Sequence, residues 1–208
     1  MKELKDYYEV EGCKIVDNAK VYDLKSSVMA SKYPMTLNPK GCSDEITKRT
    51  VSLGSSKPGS GHDQFLSTIY VNFDLSFSKQ AWNELTRYRF IFYCSSQSVI
   101  HRVTRMNIEE QCNEYVTDEM IELLNKYIEE YNNNPSHENY LRVVYNAPTG
   151  LILTARISAS YRALKTVVQQ RSSHKLLEWR ELCQWIHTLP HFDELTQGLS
   201  KESDSHEE

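Results

Sequence analysis

From Phe65 onward apolar and polar residues alternate, with Phe65, Ile69, Val71, Phe73, Leu75 and Phe77 on one face and Thr68, Asn72, Asp74 and Ser76 on the other. That period of two predicts a half-buried β-strand. Ser78 is placed to cap a following helix, through which Ala81, Leu85, Tyr88 and Phe92 recur at helical spacing until a serine-rich turn. Ile121, Leu124, Ile128 and Tyr131 define an amphipathic helix that stops at the Asn-rich stretch before Pro135; Ser136 then caps a helix carrying Tyr140, Leu141, Val144 and Tyr145, ended by Pro148 and Gly150. Leu151, Leu153, Ala155 and Ile157 predict a second strand. Ser158 or Ser160 opens the next helix, with Arg162, Leu164, Val167 and Val168, and the chain turns at Arg171-Ser172-Ser173. Leu182, Trp185, Ile186 and Leu189 form a last helix, stopped by Pro190. Residues 34–61 hold three prolines and four glycines and read as a long loop. The pattern predicts an α+β fold, a central sheet with packed helices, in one domain over residues 1–200; the polar 201–208 segment reads as a disordered tail. No internal repeat is present.

Composition narrows the function classes. The 208 residues are 39% hydrophobic and 11% aromatic, enough to build a core. A net charge of -4 supplies no global field for nucleic acid or an anionic membrane, so an anionic ligand has to be met by a local arginine cluster. No run approaches the ~20 apolar residues of a membrane span. The five cysteines lack a Cys-x-x-Cys pair and the seven histidines lack metal-ligand spacing, which predicts reduced thiols, no metal site and a cytoplasmic protein.

Two clusters carry candidate chemistry. Arg87-Tyr88-Arg89 falls within the predicted apolar helix and is followed by Ser95, Ser96, Ser98 and Arg102; buried guanidinium needs a carboxylate or an anion, and Glu84, one turn earlier, offers an internal ion pair as the bland alternative. Arg142, Arg156, Arg162 and Arg171 frame the C-terminal strand–helix unit. Bidentate guanidinium contacts suit phosphate oxygens, and solvated surface charge explains the same residues equally well. The Gly54–Gly61 segment (GSSKPGSG) lacks the Lys-Ser/Thr pair of a phosphate loop and leads to a strand rather than a helix, so it reads as a linker.

The block GHDQFLSTIYVNFDLSFSKQAWNELTRYRF resembles, without a gap, the segment of the flavin-dependent thymidylate synthases (ThyX) in which Gly-His-Glu enters a long strand leading to an Arg-His-Arg signature. A second block, LRVVYNAPTGLILTARISASYRALKTVVQQRSSHKLLEWRELCQW, is similar to that family's C-terminal unit. The resemblance implies FAD as cofactor, NADPH and methylenetetrahydrofolate as co-substrates, a pyrimidine deoxynucleotide such as dUMP as substrate, and methylation at its C5 in a homotetramer whose sites are shared between subunits. It places His62, Arg89, Arg162 and His174 at flavin-contacting positions and Glu84, Arg87, Ser98 and Arg142 at the nucleotide, with Arg142 on its phosphate and Ser98 matched only by inserting residues after the signature. Arg171 takes the place of the arginine that polarises the pyrimidine, provided one residue is deleted before His174; without that deletion Tyr161 and Gln170 occupy the places of Arg162 and Arg171.

The chain departs from the pattern at Tyr88, where the signature has histidine, at Phe92, where it has serine, and at Glu84, where glutamine is expected. Two readings follow: an enzyme acting on dUMP, dCMP or another pyrimidine nucleotide, or a catalytically diverged relative that binds nucleotide or serves as a structural or regulatory oligomer.

Overall fold

In the computed structural model, which describes residues 4–57 and 59–197, β1 (Tyr7–Val10) and β2 (Val16–Tyr22) lead to α1 (Leu24–Ala30) and α2 (Lys48–Gly54). Then come β3 (Tyr70–Ser78), α3 (Lys79–Leu85), β4 (Ile91–Ser96), the single-turn helices α4 (Val99–Arg102) and α5 (Ile108–Gln111), α6 (Asp118–Asn133) and α7 (His137–Asn146). β5 (Ile152–Ser160), α8 (Tyr161–Arg171), α9 (Leu177–Ile186) and α10 (Phe192–Thr196) complete the order. The fold is α+β, with one antiparallel sheet in the strand order β1-β2-β3-β5-β4. The tail expected at 201–208 lies outside the described residues.

By internal packing the chain divides into two compact units: residues up to Phe73, Phe90–Phe92 and residues from Ser158 on, and Asp74–Arg89 with Tyr93–Ile157. In the first, β1 pairs antiparallel with β2 in the register Tyr7↔Tyr22 to Val10↔Ala19. Asn18 adopts φ +50° within β2, so the buried Val16, Ala19 and Val21 are not spaced by two throughout. Such an irregularity hides a strand from an alternation test. The start of α1 is served from outside itself, since Asp6 accepts from the Ser26 amide (2.7 Å) and hydroxyl (3.0 Å). Phe73 packs on Trp185 with ring centroids 5.0 Å apart, Trp185 Nε1 donates to the Glu11 carbonyl (3.0 Å), and Tyr161 meets Phe192 edge-on.

The segment expected to be wholly loop contains α2, whose Thr47 and Thr50 form a reciprocal capping box and whose Thr50 and Val51 are buried. Phe65 belongs to a 3-10 turn over Gln64–Ser67, so β3 begins five residues later than the alternation predicts.

In the second unit Ser78 caps α3 through the Ala81 amide (3.2 Å), and Phe77 and Tyr93 both pack on Trp82, whose Nε1 donates to the Leu153 carbonyl (2.9 Å). The helix predicted to continue to Phe92 ends at Leu85: the Arg87 and Tyr88 amides close a tight turn onto Glu84 and Leu85, and residues 91–96 are strand. Tyr88, Phe90 and Phe92 satisfy a period of two as well as Tyr88 and Phe92 satisfy a helical one, and the β-rich Ile91-Phe92-Tyr93 run resolves the conflict toward strand. Ser136 caps α7 as predicted (Asn139 amide, 3.2 Å), and α6 and α7 form a hairpin in which Tyr131 meets Tyr140 at 5.9 Å. Among the described residues no helix is long and apolar enough to cross a membrane.

Candidate functional site

A cavity of about 440 Å³ lies in the first unit, within the size range of small-molecule sites. One part of its lining comes from the start of α8. Ser160 accepts from the Ala163 amide (3.2 Å), which fixes the first turn and sends Arg162 and Lys165, three residues apart, from one side of the helix. Both converge on Asp63, which is 2% exposed. Arg162 Nε donates to Oδ1 at 2.9 Å and Lys165 Nζ to Oδ2 at 3.2 Å. Lys165 Nζ also donates to the carbonyls of Gly54 (2.8 Å) and Ser56 (2.6 Å). A buried charge is tolerated when paired and hydrogen-bonded, and this trio meets that condition. Tyr70, Phe90 and Phe92 add aromatic surface to the lining; Phe90 is 72% exposed and Phe92 54%. Aromatic faces beside a guanidinium suit a ligand that carries both a flat ring and negative charge.

Of the other predicted residues in this unit, His62 is exposed and lines a smaller cavity of about 260 Å³ with Arg49; Gln64 lines both cavities. Arg171 and His174 come together on the fully buried Trp179: the guanidinium carbon stands 4.8 Å from its ring centroid, and the imidazole meets it edge-on at 6.1 Å. His174 Nδ1 accepts from the Leu176 amide (3.2 Å). Burial pushes the Cys183 thiol up, against the opposing pull of a Ser172 hydrogen bond and the Arg171 charge.

Glu84, Arg87, Arg89, Ser98 and Arg142 belong to the second unit. Arg87 and Arg89 are exposed in the turn after α3, not on a half-buried helix, so the reasoning that their burial demands an anion loses its premise. Ser98 caps α4 through the His101 amide (3.3 Å). Arg142 is held by Glu130 and Glu138, each at 3.4 Å, and lies over the Tyr127 ring at 5.9 Å.

The architecture matches a crystal structure of the flavin dependent thymidylate synthase ThyX from Helicobacter pylori complexed with FAD and dUMP, with TM-score 0.61, 18% identity, and 89% of this chain and 97% of that one covered. The chain has a ThyX-like fold. A second crystal structure of the Helicobacter pylori protein with FAD and dUMP gives TM-score 0.60 at 20% identity, over 89% of this chain and 96% of that one. No protein-family model matches the sequence, and no curated protein does.

Within this ThyX-like fold sequence reasoning missed two residues, Asp63 and Lys165. A signal for Lys165 existed: it interrupts the apolar stripe of Tyr161, Leu164 and Val167 on α8, where an ammonium requires an anion. Nothing local pointed to Asp63 as that anion, because 102 residues separate the two.

Proposed function

We propose that this protein binds FAD and a pyrimidine deoxynucleotide and catalyses flavin-dependent one-carbon transfer to C5 of that nucleotide, with methylenetetrahydrofolate as carbon donor and NADPH as reductant. The observation that carries this reading is the Arg162-bearing, aromatic-lined cavity in a chain whose fold is ThyX-like. The donor set fits a flavin: the aromatic faces match a planar ring system, and the guanidinium retains N–H groups for its oxygen or phosphate acceptors. When bound, FAD supplies the hydride. In this reading Arg162, His62, Arg89 and His174 hold the cofactor. Glu84, Arg87, Ser98 and Arg142 orient the nucleotide, and the residues of each site are drawn from the subunits of a cytoplasmic homotetramer of single-domain chains. Arg171, oriented by its stacking on Trp179, stabilises negative charge developing on the pyrimidine.

A second reading is favoured by Phe92, which stands in the cavity lining where the family signature has serine. In that case the chain binds a nucleotide or assembles as a structural or regulatory oligomer without methylating anything. Purified protein titrated with FAD, then assayed for conversion of dUMP with methylenetetrahydrofolate and NADPH, separates the two. Saturable flavin binding with dTMP formation supports the enzyme; failure to bind FAD, with the protein folded, rejects it.

A further inference from the structure

Two cations, Arg162 and Lys165, stand among the described residues lining the larger cavity, and they are not equivalent. An ammonium has three N–H groups, and those of Lys165 are directed to three acceptors: Gly54 O, Ser56 O and Asp63 Oδ2. At 4% exposed, it has no donor left to offer a ligand. A guanidinium has five N–H groups. Arg162 uses one on Asp63 and one, at 3.4 Å, on Gln64 Oε1, which leaves three, and its side chain is 31% exposed. Asp63 in turn has each carboxylate oxygen matched to one cation.

We infer that Asp63 is a positioning residue: it clamps Arg162 through Nε so that the remaining guanidinium edge meets an anionic group of the ligand, while Lys165 fixes the far side of the same carboxylate. Charge supports the assignment, since two cations against one carboxylate leave the site with a net positive charge. So does entropy, because an arginine held before the ligand arrives loses less freedom on binding than a mobile one. The ligand class, an aromatic anion with FAD as its representative, rests on the function proposed above; the clamp itself does not.

The test uses the full-length chain and two readouts. The first is the Arg162 Nε–H resonance in a proton–nitrogen spectrum, assigned with Arg162→Gln; the second is FAD affinity by flavin fluorescence. In the parent the resonance exchanges slowly with water. Asp63→Asn brings it into fast exchange and weakens FAD binding by about tenfold, the effect of one charge-assisted contact. Because Asp63→Asn leaves Lys165 buried beside a neutral partner and could unfold the chain, Asp63→Asn/Lys165→Met is the companion variant; it removes both charges of the buried pair and reproduces both changes. Added to Arg162→Gln, the same two substitutions cause no further loss of FAD affinity, whereas general loosening of the cavity would cause more. A parent resonance in fast exchange, a resonance unaffected by either Asp63 variant, or additive losses in the Arg162→Gln background overturns the inference. If the parent binds no FAD, the reading of function fails and the resonance alone decides on the clamp.

Discussion

Tyr161 opens α8 with no exposed surface, its hydroxyl donating to the Pro190 carbonyl at 2.7 Å, and burial raises its pKa well above the ordinary 10.0. Above about pH 10 the unfolded chain therefore loses this proton while the folded chain keeps it. Unfolding then releases a proton, so stability falls as pH rises, with a slope of about 1.4 kcal/mol per pH unit for this one group. Tyr161→Phe removes that component, and at neutral pH costs about 1 kcal/mol for the lost hydrogen bond. Urea unfolding of both proteins from pH 8 to 11 checks this, because every other titrating group cancels in the comparison; parallel declines would refute it. Cysteine reactivity follows similar logic. Cys183 is buried with its thiol pushed up, and Cys13 is exposed. The thiolate is the reactive form, so iodoacetamide at pH 8 should label Cys13 at least tenfold faster in the folded protein, and the difference should vanish in urea.

At the level of elements, α2 and α10 approach closely within the first unit. A Cβ added at Gly54 would stand 2.0 Å from the Leu195 carbonyl oxygen and 3.2 Å from Phe65 Cζ. Gly54→Ala should destabilise the protein by about 1–3 kcal/mol, since the backbone of α10 has to move; the helix-propensity gain of about 1 kcal/mol is the largest favourable term against it. Thermal melting decides the sign. α2 was illegible in the sequence because its capping box is Thr47–Thr50 rather than a Ser/Thr–Glu pair, and because only seven residues separate that cap from the serine–glycine run. By contrast β3, β5, α6, α7 and α8 were legible, since each couples a sustained hydrophobic period, interrupted on α8 by Lys165, with a terminal signal such as Ser136 or Ser160. β1 and β2 were missed; β1 is four residues long, and Asn18 breaks the alternation of β2. Site residues fared by a different criterion. Arg162 could be singled out from an arginine-bearing segment, but its partner Asp63 is 99 residues away, a pairing that only the fold creates.

For the whole molecule, the edge strand β4 poses the sharpest question. Every residue from Phe92 to Ser96 is exposed, and Phe90, Phe92 and Tyr93 are among the large apolar side chains left in water. An exposed edge of that character is suited to pairing, and with the proposed homotetramer as its occupant light scattering should return four times the mass of the chain. Cys94→Lys, which sets a charge on that edge, should lower the measured mass while leaving the circular dichroism spectrum unchanged; an unaltered mass would place the contacts elsewhere. The discontinuity of the first unit has a consequence in time. Its N-terminal strands are held by partners such as Trp185, 174 residues after the Glu11 carbonyl it binds, and Lys165 reaches back 111 residues to Gly54. A ribosome adding ~5–20 residues each second leaves the opening third of the chain without these partners for many seconds, whereas most of the second unit is contiguous and can mature as it emerges. Nascent protein halted before α8 should thus yield a protease-resistant fragment from the middle of the sequence and an N-terminal segment that chaperones must shelter until α8 and α9 have emerged.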